Sequence, residues 1–196
     1  MGRHNIGKSG ASILLAGLAL SLASCGSNET AETETAVEPV EDIARATLTG
    51  ADGTRYGEVI IGEGDGGLLV KIDAENLEPG PRGVHIHEVG QCEGPDFTSA
   101  GGHWNPTENE HGLENPNGAH MGDFFNLEIG EDGKGSVEAR IEGASLKEGA
   151  NALMDADGAA FVIHAGPDDQ KTDPSGESGG RIACGVFEMQ QFKPVD

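Results

Sequence analysis

The sequence predicts an all-β domain, a sandwich or barrel of about eight strands carrying two long loops. Three observations predict it. Short β-like runs succeed one another through the last three-quarters of the chain, turn signals separate many of them, and no long amphipathic helical pattern occurs. Nine prolines and 32 glycines supply the punctuation.

In order, the runs are 44–48, 58–61, 68–72, 83–87, 124–129, 136–141, 159–163 and 181–187. Ala51-Asp52-Gly53 marks a turn after the first run. Glu131-Asp132-Gly133 separates 124–129 from 136–141, and Asp157-Gly158 precedes 159–163. Within 83–87, His85 and His87 are two apart, so a strand places both imidazoles on one face. The pair alone would fit the polar face of a half-solvated strand.

The later histidines change that reading. His103, His111, His120 and Asp123 come next, in segments rich in Gly, Pro and Asn, and His164 closes the apolar stretch Phe161-Val162-Ile163-His164. Only His4 falls outside this set, among seven histidines in all. A loop this long inside a compact domain is usually functional. Three imidazoles and a carboxylate make the closed tetrahedral set typical of zinc.

The motifs Gly83-Val84-His85-Ile86-His87-Glu88, Thr98-Ser99-Ala100-Gly101-Gly102-His103-Trp104-Asn105-Pro106, His111-Gly112, His120-Met121-Gly122-Asp123, Phe161-Val162-Ile163-His164 and Gly180-Arg181-Ile182-Ala183-Cys184-Gly185-Val186 closely resemble those of the Cu,Zn superoxide dismutases. The resemblance covers roughly residues 44–191. It implies a Greek-key β-sandwich or flattened barrel of antiparallel strands, the fold for which this family is a standard example. It also implies copper held by His85, His87, His103 and His164, and zinc held by His103, His111, His120 and Asp123, one of each per subunit. His103 would bridge the two metals, and four nitrogens suit Cu(II). The implied activity is dismutation of superoxide to oxygen and hydrogen peroxide, with copper cycling and zinc structural. His103 and Arg181 are the implied catalytic residues: the imidazole passes a proton, and the guanidinium holds the small anion in a way lysine would not. Asp168 is the implied carboxylate behind His85 and His111, with Asp169 its local rival. Trp104 is expected to pack beside the site.

Three cysteines are an odd number and need an explanation. Residues 1–24 combine Arg3 and Lys8 with a short apolar run and small residues, which reads as a secretory signal peptide. Leu22-Ala23-Ser24-Cys25 resembles the bacterial lipoprotein cleavage box, which makes Cys25 the expected lipidation site. That leaves Cys92 and Cys184, which the family resemblance pairs in a disulfide, a bond that export permits. Closing a loop of about 90 residues would contribute roughly 4–5 kcal/mol in the chain-entropy model. Residues 25–43 form an acidic Ser/Thr/Ala/Glu linker with little to bury, and 44–196 form the domain.

Net formal charge is −22; residues 1–24 carry +2 and 25–43 carry −6, so the domain keeps −18. This argues against nucleic acid as a partner. The loop 165–180 sums to −3, an acidic setting for an anionic substrate, with Lys171 and Arg181 the nearby cations. The partners expected are superoxide, a membrane reached only through the N-terminal lipid, and a homodimer as the open alternative to a monomer. The expected location is exported: periplasmic or at the cell surface, anchored to a bacterial membrane (the outer one in a Gram-negative cell). The rival function is a non-catalytic copper- or zinc-buffering lipoprotein of the same fold. Loss of a copper ligand or of Arg181 would favour it, and neither is lost.

Overall fold

A computed structural model describes residues 42–190. The expected signal segment, Cys25, the linker up to Glu41 and the last six residues lie outside the described residues. The strands are β1 (Ile43–Thr49), β2 (Arg55–Gly64), β3 (Gly67–Ala74), β4 (Gly80–Arg82), β5 (Val84–His87), β6 (Leu127–Ile129), β7 (Gly135–Glu142), β8 (Ala160–His164), β9 (Arg181–Val186) and β10 (Glu188–Gln190). Among the described residues the only helical element is the 3-10 turn Thr98–Ala100.

The all-β reading is borne out. One antiparallel sheet runs β5-β8-β9-β1-β2-β3-β7, β10 adds to β1, and β4 pairs with β6. Because β4 and β5 are separated by Gly83 alone, and the turn at 130–134 joins β6 to β7, the small pair bridges the two ends of the long sheet. The sheet thereby curls around its own interior. Ala44, Ala46 and Leu48 of β1 and Val59 and Ile61 of β2 alternate inward, with Leu68, Val70 and Ile72 of β3 beside them. A fully buried side chain of the larger kind contributes about 1.5–3 kcal/mol.

Strands β5 and β8 are buried on both faces. Val84, Ile86, Phe161 and Ile163 enter the main core. The opposite face of β8 supplies Ala160 and Val162 to a second, smaller core with Phe97, Ala100 and Cys184. This second core lies under the loop that carries Cys92, and the Cys92–Cys184 disulfide ties that loop to β9 with Cα atoms 5.7 Å apart.

Several boundaries differ from expectation. Strand β1 starts at Ile43, paired with Gly62 and Gln190, one residue before the expected domain start. The run 124–129 is strand only at its end. Gln170 Nε2 donates to the Phe124 carbonyl at 3.2 Å, and Asn126 exchanges two hydrogen bonds with the backbone of Asp168. These backbone and side-chain groups are therefore committed to a loop instead of a sheet ladder. Strand β4 is an addition to the sequence pattern. Gly80-Pro81-Arg82 lies outside every expected run, yet it forms a short ladder to β6 that leaves Pro81 at a strand edge.

Candidate metal centre

The site is built on the outer edge of β5. His85 and His87 face outward from the core while Val84 and Ile86 face in, as the period of two requires. The edge is not left open. Ile86 N–H donates to the Gly122 carbonyl at 2.9 Å, and Trp104 N–H donates to the Ile86 carbonyl at 2.8 Å. The two loop segments therefore dock in register, opposing Asp123 to His85 and His103 to His87. Gly122 permits the approach, since a Cβ there would lie 2.4 Å from the Ile86 oxygen. Trp104 is 5% exposed and belongs to the main core, as expected of a packing residue. His164 ends β8, and β8 pairs directly with β5.

Every histidine of the expected set arrives here buried, together with Asp123 and Asp168. One group of donor atoms within 4.8 Å of one another comprises His85, His87, His103 and His164. In each of these rings one nitrogen has no hydrogen-bond partner: Nδ1 of His85 and Nε2 of His87, His103 and His164. The other nitrogen is engaged. His85 Nε2 meets Asp168 Oδ2 at 2.6 Å, and His87 Nδ1 meets the Gly101 carbonyl at 3.0 Å. His164 Nδ1 meets the Gly179 carbonyl at 3.2 Å, and His103 Nδ1 meets Asp123 Oδ1 at 2.9 Å. A ring nitrogen that donates to a carboxylate or carbonyl leaves its partner nitrogen as a bare lone pair. Four such lone pairs, buried and convergent, form a nitrogen donor set that fits Cu(II).

The second cluster surrounds Asp123. His111 Nδ1 is 3.1 Å from Oδ2, His120 Nδ1 is 3.3 Å from Oδ1, and His103 Nδ1 is 3.4 Å from His120 Nδ1. Backbone N–H groups of Gly112 and His120 donate to Asp123 Oδ2 at 2.9 and 3.1 Å. Three imidazoles and one carboxylate fit zinc. The donor atoms here that all lie within 4.8 Å of one another are those of His85, His103, His111 and Asp123, without His120. His85 enters this group because its ring stacks on His103 with centroids 3.9 Å apart, whereas its Nε2 belongs to Asp168. Orientation thus sets His120, not His85, against Asp123.

Asp168 links the two clusters, meeting His85 Nε2 and, at 3.0 Å, His111 Nε2. Asp169 does not compete for that position. Its oxygens accept from Lys171 N–H, Thr172 N–H and the Thr172 hydroxyl, closing a local turn. Arg181 donates to the Phe97 carbonyl at 2.6 Å and to the Gly101 carbonyl at 2.7 Å, so the carbonyl that orients His87 also holds the guanidinium. Lys171 pairs with Glu114 at 2.7 Å. Sequence reasoning missed Asn126 and Asp173. Asn126 fixes the backbone of Asp168, and Asp173 Oδ1 accepts the His111 N–H at 2.8 Å. Neither stands in a recognisable spacing, and a polar residue in a Gly/Pro-rich loop carries no signal of a distant partner.

Burial sets the electrostatics. It pushes His85 down to about 3 and His164 to about 4, and it also lowers His87 and His103. His111 is opposite: burial pulls it down, but the adjoining carboxylates of Asp123 and Asp168 prevail and hold it at about 9. For Asp123 and Asp168, burial alone would raise the carboxyl, but their imidazole partners hold both well below the ordinary carboxylate value.

A family model described as copper/zinc superoxide dismutase matches residues 55–187. The chain is 43% identical over 145 residues to a Cu-Zn superoxide dismutase, number 1, of Aquifex aeolicus (strain VF5), covering 73% of this chain and 86% of that one. It is 48% identical over 143 residues to a superoxide dismutase-like protein of Bacillus subtilis (strain 168), covering 71% and 73%. A crystal structure of a SOD-like protein from Bacillus subtilis, carrying histidines in place of a tyrosine and a proline, matches with a TM-score of 0.69 at 48% identity. That match covers 72% of this chain and 95% of the other.

Proposed function

The chain belongs to the copper/zinc superoxide dismutase family, and on that premise we propose how its own residues carry out the reaction and where it works. The protein is an oxidoreductase, a superoxide dismutase whose cofactors are copper and zinc. In our reading His85, His87, His103 and His164 hold copper, and His103, His111, His120 and Asp123 hold zinc, with His103 common to both. The observation that carries it is the set of five buried ring nitrogens without partners, four of them facing one another and His111 Nδ1 beside Asp123, each on a ring whose other nitrogen is engaged.

Bound copper supplies a one-electron redox change, so that two superoxide anions and two protons become oxygen and hydrogen peroxide. The rest falls to the chain. Gly101 and Gly179 carbonyls and Asp168 keep the copper-side rings in one tautomer and one orientation. Arg181, pinned by Phe97 and Gly101, retains further N–H groups to hold the anion at short range. His103 Nε2 has no protein partner and is the atom at which a proton for the peroxide product can be held. The intact ligand set and Arg181 favour turnover over metal buffering.

Metal analysis with a dismutation assay tests the assignment. His164→Ala should abolish dismutation while zinc stays near one per chain; Asp123→Ala should lose zinc before copper. Near-normal turnover in His164→Ala would remove that residue from the copper site.

We further propose that the protein is exported and anchored by lipid at Cys25. The support is the basic-apolar-small pattern of residues 1–24 and the cysteine that ends it. Several acyl chains bind a membrane where one would be marginal. The wild type should sediment with membranes, and Cys25→Ser should be recovered soluble or unprocessed. A wholly soluble wild type with no acyl mass would end the lipoprotein reading.

A further inference from the structure

Of the three imidazoles read as zinc ligands, two have their far nitrogens accounted for. His103 turns Nε2 toward the copper-side group, and His111 gives Nε2 to Asp168 at 3.0 Å. His120 is the third. Its Nδ1 faces Asp123, and among the described residues the one carboxylate oxygen within 4 Å of its Nε2 is Asp173 Oδ1, at 3.9 Å. The same oxygen accepts the backbone N–H of His111 at 2.8 Å. A single loop oxygen therefore stands beside two neighbouring members of the cluster.

We propose that Asp173 is a positioning residue for the zinc site, holding His111 by its main chain and serving as the carboxylate partner of His120 Nε2–H. The inference rests on the zinc reading above. An imidazole bound through Nδ1 carries its proton on Nε2, and a carboxylate there fixes the ring plane and raises ligand basicity. A separation of 3.9 Å exceeds a direct hydrogen bond. The Asp173 side chain is 52% exposed, however, so one water or a small rotation spans the gap at the rim of the site. The 165–180 loop would thus grip the zinc cluster at two points, Asp168 on His111 and Asp173 on His111 and His120. Asp169 provides the control: it has the same charge in the same loop, but its oxygens are spent on the turn 169–172.

The test is competition for zinc between a chromophoric chelator and the full-length protein, with Co(II) spectra of the zinc site and copper content measured in parallel. Asp173→Asn keeps an acceptor for the His111 amide and removes the carboxylate. It should weaken zinc retention roughly 10- to 100-fold and shift the Co(II) bands with copper content unchanged. Asp169→Asn should stay within about twofold of wild type, as expected for a screened surface charge. Asp173→Asn binding zinc like wild type overturns the inference, and so does an equal loss in Asp169→Asn. A loss confined to Asp173→Ala would also overturn it, because an amide acceptor alone would then suffice. Asp123→Ala separates the two levels: zinc present in wild type and lost in this variant upholds the site reading, while equal zinc in both sinks that reading and the inference together.

Discussion

A histidine at this site is defined by which of its nitrogens the protein has already used. Five rings keep one open nitrogen in a buried setting: His85, His87, His103 and His164, and His111 at Nδ1. Leaving a buried polar atom unpaired costs roughly 1–3 kcal/mol, a large share of the 5–15 kcal/mol that typically separates folded from unfolded chains. Metal binding should therefore stabilise the domain as well as activate it. The same burial fixes the pH response of the metal-free protein. His85 at about 3 and His164 at about 4 bind protons less readily folded than unfolded, where the ordinary value is about 6.5. Stability is then full above about 6.5 and is lost as pH falls toward 4. His111, at about 9, acts in the other direction: its contribution is present below about 6.5 and is lost as pH rises through 9. His87 and His103 side with the depressed group, so the acid side should be the steeper one. Urea titrations of metal-free protein at pH 5, 7 and 9 should give the lowest midpoint at pH 5. A midpoint at pH 5 equal to or above that at pH 7 would falsify the account.

At the level of elements, the centre depends on loops being seated on one strand edge. Strand β5 offers Ile86 N–H and C=O, and the segments at Trp104 and Gly122 take both. The 165–180 loop is seated as closely: Gly176 has φ +63, and a Cβ there would fall 1.9 Å from Asp168 Oδ1 and 2.7 Å from His111 Nε2. Gly179 has φ +81, but a Cβ there would meet nothing closer than 3.9 Å. Gly179→Ala should therefore carry only the backbone cost, about 1–2 kcal/mol. Gly176→Ala should lose more, because it also drives Asp168 off His111, and it should retain less zinc. Thermal unfolding and metal analysis of the pair check this; equal losses in both variants would mean that contact with Asp168 is unimportant.

The molecule as a whole attracts its substrate only if local charge overrides the total. Superoxide is an anion, and the domain carries −18 before metals. Screening acts over about 8–10 Å at ordinary ionic strength, so the nearest groups decide. Lys171 is neutralised locally by Glu114. Arg181 makes no ion pair within 4 Å among the described residues and is held by carbonyls beside the copper-side rings. We expect the second-order rate to fall weakly with salt, and Arg181→Glu to cost far more rate than Lys171→Glu at unchanged copper content. A wild-type rate that rises with salt would show that the acidic surface reaches the site, leaving Arg181 to act only on an anion already there.

By itself the sequence determined the strand-rich fold and the membership of the cluster. The reason is local: alternation places His85 and His87 on one face, turn residues mark where strands end, and the histidine spacings identify the family. It could not decide which nitrogen of each ring is open, that Asp168 and not Asp169 spans both clusters, or that Lys171 is spent on Glu114. Nor could it show that Phe124 to Asn126 leave the sheet, or that Asp173 reaches back to His111. Most of these depend on partners 14 or more residues away, and those of Asp168, Gln170, Lys171 and Asp173 come within 4 Å only where the 165–180 loop lies against the segment 111–126. Hydrogen-bond direction is a property of that meeting, and no periodicity in either segment encodes it.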